Sequence, residues 1–219
     1  MMQPVARHQC LVYKGSPAAH LPKLSALIRQ KLHENHRCLY LDRPPMVAGM
    51  RAHLFAAGIN VPREEMKGSL ALSSHTGHLL NGRFDIERML GTLEDALDQA
   101  LSDGYQGLWA TGDMSWEFGP EKDFSKLLDY EWQLEEFLQK RPALSGICQY
   151  HVDTLPREVM RQCLLTHQSV FINETLSRLN PHYLEQQSCT SRPSDNADLD
   201  NMISRLCEQE NANSSPGYQ

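Results

Sequence analysis

The stretch from Gly107 to Glu117, GLWATGDMSWE, reads as a short apolar strand running into a small-residue turn with an acid and a tryptophan. In sheet-and-helix proteins the carboxyl end of a buried strand is where ligands and catalysts are held. Asp113 is therefore a candidate polar contact, Met114 and Trp116 are candidate walls of an apolar pocket, and Glu117 is a second acid beside them. The plainer reading makes Asp113 a turn or helix cap, a role aspartate also favours, and puts Met114 and Trp116 in the core. Two further strand ends carry polar groups: Ser73 and Ser74 close SLALSS, and Gln149, Tyr150 and His151 close GICQYH, with Asp153 just beyond. A His-x-Asp of this kind is also an ordinary way to begin a helix. Glu131 falls between Leu127, Leu128 and Leu134 on an inward helical stripe. A carboxylate there must be paired, hydrogen-bonded or protonated, unless the helix tilts enough to bring it to water.

Several chemistries lack their residues. A phosphate-cradling P-loop needs G-x-x-x-x-G-K-[ST] after the first strand. Here Gly15 opens GSPAAHLP, with His20, Leu21 and Pro22 where Gly, Lys and Ser/Thr belong. The phosphate-neutralising lysine and the magnesium-binding hydroxyl are both missing, and Pro22 removes a backbone donor. This counts against ATP or GTP hydrolysis. The order Ser73/Ser74, Asp113, His151 mimics an α/β-hydrolase triad, but LSSHTG is not a nucleophile elbow. His75 and His78 offer two imidazoles without an evident third ligand, so they read as surface histidines and no metal site is expected. No cofactor signature is seen.

The positioning elements follow from periodicity. Strands are expected at 8–15, 37–42, 69–74, 107–112, 144–151 and 169–173. Helices are expected at 21–35, from Pro44 to about Ala57, from the Asp85 cap to Gly104, from about Lys122 to Lys140, and from Pro156 to His167. In the fourth-strand approach, Ile86, Met89, Leu90, Leu93, Leu97 and Leu101 make the apolar stripe. Apolar strands separated by helices imply a mostly parallel sheet with helices on both faces, a three-layer α/β fold. The 219 residues carry 21 basic and 27 acidic side chains, a formal charge of −6, which disfavours a nonspecific nucleic-acid or anionic-membrane binder. No apolar run approaches a membrane span and no signal peptide is evident, so a cytoplasmic location is expected. The six cysteines lack C-x-x-C spacing and read as reduced thiols, most of them in the core. Residues 1–184 form the expected domain; 185–219 are a polar, flexible tail with a short amphipathic helix near 197–209, through Leu199, Met202, Ile203 and Leu206.

The ordered set HQCLVY (8–13), RCLYLD (37–42), GRFDIERML (82–90), DGYQGLWATGDMSWE (103–117), LLDYEWQLEEFL (127–138), GICQYHVDTLP (146–156) and THQSVFIN (166–173) resembles the MEDS family, the methanogen/methylotroph, DcmR sensory domain. The resemblance covers roughly residues 8–180 and implies a RecA/KaiC-like core without a functional P-loop. It further implies a ligand-input module for small hydrocarbon or one-carbon derivatives. The family's glutamate after the fourth strand is Asp113 here, and His151 stands where an acid is common; either change alters the ligand-contacting surface.

The leading expectation is a non-enzymatic sensor. Its site would comprise Ser73, Ser74, Asp113, Met114, Trp116, Glu117, Glu131, Gln149, Tyr150 and His151. It would bind a small molecule and signal to a separate histidine kinase or transcription regulator, with no direct nucleic-acid or membrane contact; self-association into a homo-oligomer stays open. Two alternatives are a degenerate nucleotide-fold hydrolase or transferase using Asp113, Glu117 and His151 as acid–base groups, and a ligand-free regulatory interaction protein.

Overall fold

A computed structural model describes residues 7–172, 175–177, 180, 183 and 199–204. Chain order is β1 (His8–Tyr13), α1 (Leu21–His33), β2 (Arg37–Leu41), α2 (Pro44–Ala56), α3 (Val61–Met66), β3 (Leu70–Ser73), β4 (Leu79–Leu80) and β5 (Arg83–Phe84). It continues with α4 (Ile86–Ser102), β6 (Leu108–Asp113), α5 (Met114–Glu117), a 3-10 turn (Phe124–Lys126), α6 (Leu127–Lys140), β7 (Leu144–His151), α7 (Arg157–Thr166), β8 (Ser169–Ile172) and β9 (Thr175–Ser177). Among the described residues one sheet has seven strands in the order β3-β2-β6-β7-β1-β8-β9, and only the β8–β9 pair is antiparallel. The mostly parallel α/β sheet expected from sequence is present, with all six expected strands in it.

Alternation along the strands divides the core. Leu11, Tyr13, Cys38, Tyr40, Trp109 and Ile147 face α1 and α2, whose Leu24, Ile28, Met50 and Leu54 are buried against them. Cys10, Val12, Leu39, Leu41, Leu108, Cys148 and Tyr150 face the other way, toward α4, α6 and α7. Each fully buried Leu or Met contributes about 1.5–3 kcal/mol. Two glycines set strand spacing: a Cβ on Gly107 would lie 2.0 Å from the Ala143 carbonyl oxygen, and one on Gly146 would lie 2.5 Å from that of Ala110.

Local chemistry explains most boundaries. Asp85 caps α4 by accepting from the Arg88 N–H, and Gly58 and Gly104 end their helices at φ +84° and +85°. Differences from the sequence reading are local. The helix expected from Lys122 begins as α-helix at Leu127, because Lys122 has φ 47° and Asp123 caps a separate 3-10 turn. Leu101 is 45 % exposed, since the core face of α4 ends at Leu97 and Ala100. The sequence reading has no counterpart to α3, to the β4–β5 hairpin or to β9. Residues 185–198 and 205–219 lie outside the described residues; 199–204 are helical, with Leu199 and Met202 packed on the α4–α6–α7 core. Cys10, Cys38, Cys148 and Cys163 are free, buried thiols.

Candidate functional site

The chain leaves β1 through α1 on one face and returns from β7 through α7 on the other. That reversal opens a crevice at the carboxyl ends of β7 and β1, the usual ligand position in open α/β sheets. Register places Tyr13 beside His151 and Asp113 beside Gln149. Tyr13 Oη donates to Asp113 Oδ2 (2.9 Å), and Arg43 Nη2 donates to Asp113 Oδ1 (3.0 Å). Ser115 Oγ and the Trp116 N–H also donate to Asp113, so this acid is the N-cap of α5 as well as the hub of the rim. Asp42, at the end of β2, accepts from Tyr40 Oη (2.9 Å) and from the Arg43 N–H (2.7 Å). Burial, reinforced by the Asp113 charge, pushes Asp42 up to about 6 despite those donors.

The loop after β1 is closed on itself. The Gly15 N–H donates to Asp153 Oδ2 (2.8 Å), and the Gly15 carbonyl accepts from His151 Nε2 (2.9 Å). A carbonyl only accepts, so His151 carries its proton on Nε2 and Nδ1 accepts from Thr154 Oγ1 (3.0 Å). His20 is buried against Tyr13 and donates from Nε2 to Gln149 Oε1 (2.8 Å); Gln149 Nε2 in turn donates to Thr111 Oγ1. Burial lowers the His20 pKa. The Gly15 N–H is thus engaged and Pro22 has none, and Asp42, Asp113 and Asp153 place negative charge at these strand ends.

On the opposite face, a cavity of about 40 Å³ lies between β6, β7, α4 and α6. Leu41, Met89, Leu93, Tyr130, Leu134 and Leu138 give it apolar walls, and Glu117, His8 and Cys148 supply its polar groups. Glu117 is 5 % exposed, and its Oε2 has no hydrogen-bond partner. Its other oxygen lies against Gly112, where a Cβ would be 1.8 Å away. Burial, then the charges of Glu131, Asp113 and Asp42, hold the Glu117 pKa well above the ordinary carboxylate range, which favours its protonated form beside a mostly apolar space.

Beside the cavity is a fully buried polar cluster. Glu131 is 0 % exposed, which resolves the open reading of its inward position. Tyr150 Oη donates to Glu131 Oε1. Glu131 Oε2 lies 3.1 Å from His8 Nε2 and 3.3 Å from His167 Nε2, and Cys148 Sγ lies 3.7 Å from His8 Nε2. Burial alone would lower His8, but Glu131 and Glu135 push it up to about 9; burial and the His8 charge push His167 down to about 4. Glu131 is held below its usual value by these histidines and Tyr150, against the effect of burial.

The residues singled out from sequence therefore do not form one site. Asp113, Gln149 and His151 lie at the rim, Glu117 at the cavity, and Glu131 with Tyr150 in the buried cluster. Met114 is fully buried, and Trp116 packs on His78 with ring centroids 5.0 Å apart. Ser73 and Ser74 end β3 at the sheet edge, with β2 between them and β6; Ser73 Oγ accepts from the His75 N–H. His78 is buried, donating to the Glu117 carbonyl, and is not a surface histidine. Tyr13, Asp42, Arg43, His8 and His167 were not selected from sequence. Asp42 and Tyr13 had the same strand-end signal as Asp113, and His8 alternates with Cys10 and Val12.

The fold and the crevice define an α/β protein of KaiC-like architecture. A KaiC-like protein from the hyperthermophilic archaeon Pyrococcus horikoshii superposes with a TM-score of 0.52 at 11% identity, over 76% of this chain and 71% of that one. Residues 7–168 match the MEDS family, MEthanogen/methylotroph, DcmR Sensory domain, and the chain belongs to it. The transcriptional repressor DcmR of Methylorubrum extorquens is 24% identical over 164 residues, which are 75% of this chain and 59% of the repressor's length. No helix among the described residues is long and apolar enough to cross a membrane.

Proposed function

We propose that this chain is the input domain of a regulatory system, binding a small, weakly polar molecule in the cavity capped by Glu117. The observation that carries the reading is Glu117, buried in the wall of a mostly apolar cavity with its Oε2 lacking a hydrogen-bond partner. An unsatisfied buried carboxyl costs about 1–3 kcal/mol, and a ligand that hydrogen-bonds it recovers that cost. The cavity volume suits one or a few atoms beyond a water, which favours one- or two-carbon compounds, including chlorinated ones, over a nucleotide. Membership in a sensory-domain family and similarity to a named repressor support regulation as the output.

Transmission would run through α5. Its first turn is fixed by Asp113 in the rim network, and its last residue, Glu117, touches the cavity. A ligand engaging Glu117 favours one setting of α5 over another, and the rim, with Arg43, Tyr13, Gln149 and His151, passes that setting to a separate kinase or transcription regulator. Asp113 and His151 share the rim through Tyr13, but Glu117 lines the cavity on the other side, so the three acid–base candidates do not converge on one cleft.

The test is Trp116 fluorescence during titration with dichloromethane, methanol and small amides. Saturable change is expected with at least one of them, weakened by Asp113→Ala and abolished by Glu117→Gln with Gly112→Ala as an independent block. Saturable binding that is indifferent to all three variants would remove this pocket from consideration.

A further inference from the structure

The cluster under α6 and α7 has a second reading that does not depend on the cavity's ligand. His8 directs Nδ1 to Glu135 Oε2 (3.0 Å), and His167 directs Nδ1 to the Cys163 carbonyl (2.9 Å). The carbonyl can only accept, so the Nδ1 of His167 carries its proton and Nε2 presents a lone pair. Each histidine thus has its outer nitrogen held by an acceptor and its Nε2 turned inward. This is how metal-ligating histidines are oriented. The inward atoms are His8 Nε2, His167 Nε2, Glu131 Oε2 and Cys148 Sγ, all mutually within 4.8 Å and all on buried residues. His167 Nε2 has no hydrogen-bond partner despite complete burial, and Glu131 Oε2 meets the two histidine Nε2 atoms at 3.1 and 3.3 Å. The remaining Glu131 oxygen is held by Tyr150.

From this geometry we infer that His8, Glu131, Cys148 and His167 form a four-ligand site for a zinc-class divalent cation. Tetrahedral zinc with ordinary bond lengths separates its N and O ligands by about 3.4 Å and its N and S ligands by about 3.6 Å. The observed separations are 3.1, 3.3 and 3.7 Å. The charges also balance: one thiolate and one carboxylate neutralise a divalent ion, so the centre adds no net charge to a dry interior. Thiolate with imidazole favours zinc over magnesium or calcium. On binding, the proton of the Cys148 thiol and any proton on His8 Nε2 pass to solvent, leaving the thiolate and the Nε2 lone pair on the metal, and no redox step is involved. Four protein ligands leave no open position, so the centre is structural: it ties β1, β7, α6 and the start of β8 together beneath the cavity, which His8 and Cys148 also line.

The experiment uses the full chain, unfolded under reducing conditions, stripped with chelator and refolded with or without cobalt(II). Expected are one bound equivalent, the visible absorption of tetrahedral cobalt, and a near-ultraviolet thiolate-to-cobalt band, all removed by zinc. Cys148→Ser loses the thiolate band, and His167→Gln weakens binding by more than the roughly 10–100-fold expected for the orienting variants Tyr150→Phe and Glu135→Gln. Cys38→Ser, on the other face, leaves every signal unchanged. Folded protein by circular dichroism with no tetrahedral cobalt spectrum at excess metal overturns the inference, as does a thiolate band that survives Cys148→Ser. Should Cys148→Ser fail to fold, unaltered affinity in His167→Gln overturns it equally.

Discussion

Replacing Glu117 by glutamine isolates the energetics of the cavity. The carboxyl is 5 % exposed, one oxygen lacks a partner, and burial with neighbouring negative charge raises its pKa well above 4.5. Near pH 4.5 the unfolded chain begins to release this proton while the folded chain keeps it. Above 4.5 the native state therefore binds more protons, and stability falls as pH rises until the folded pKa is passed. The slope is about 1.4 kcal/mol per pH unit for one proton. Glutamine keeps the volume and one acceptor but has no proton to lose. At pH 4 the two proteins should unfold within about 1 kcal/mol of each other, and above pH 4.5 the glutamine variant should gain on wild type progressively as pH rises. Urea titrations from pH 4 to 7.5 measure this, with an unchanged m-value showing that the denatured state is the same. Stability curves of wild type and variant that run parallel across the range would mean that Glu117 is ionised in the fold, and the neutral-acid account of the cavity would fail. A variant both more stable and unresponsive to small probes is the signature of a group kept for binding and not for folding.

Asp42→Asn should act in the same sense over a narrower window. Its pKa of about 6, against an ordinary 3.8, makes wild-type stability decline between pH 4 and 6, and the variant should recover up to about 3 kcal/mol at pH 7 in thermal or urea unfolding. Asp113→Ala removes the α5 cap and the Arg43 partner, and should cost about 1–2 kcal/mol in urea unfolding. Gly107→Ala drives a Cβ to 2.0 Å from the Ala143 carbonyl, so the strand must move; a loss of about 3 kcal/mol or more is expected by thermal unfolding, whereas Gly91→Ala, with open space, should be neutral or stabilising.

The large elements were legible because their signals are local. The apolar stripe of α4 survives in Met89, Leu93 and Leu97, and Asp85 caps it as its residue type demands. The elements without a sequence counterpart are short and owe their form to neighbours: α3 has six residues, and β4 and β5 pair only through Leu79–Phe84 and Leu80–Arg83. In the site, Glu131 was visible because a carboxylate on an apolar stripe is anomalous. His167 gave no such signal, since its role arises where the α7–β8 junction passes beneath α6, which no window of sequence contains. Arg43 was hidden similarly: it reads as a residue before two prolines, and only the pairing of β2 with β6 brings it to Asp113.

The self-closed turn around Gly15 bears on any attempt to engineer phosphate binding into this fold. Introducing glycine, lysine and serine at positions 20, 21 and 22 would supply the missing letters but would not free Gly15, because Asp153 and His151 already engage its peptide groups. Leu21 is also a core side chain, 1 % exposed, so a charge there would be buried before it could reach any polyphosphate. Phosphate binding there would first require breaking these contacts, so the closed loop and the buried Leu21 together keep the turn from serving as an anion cradle.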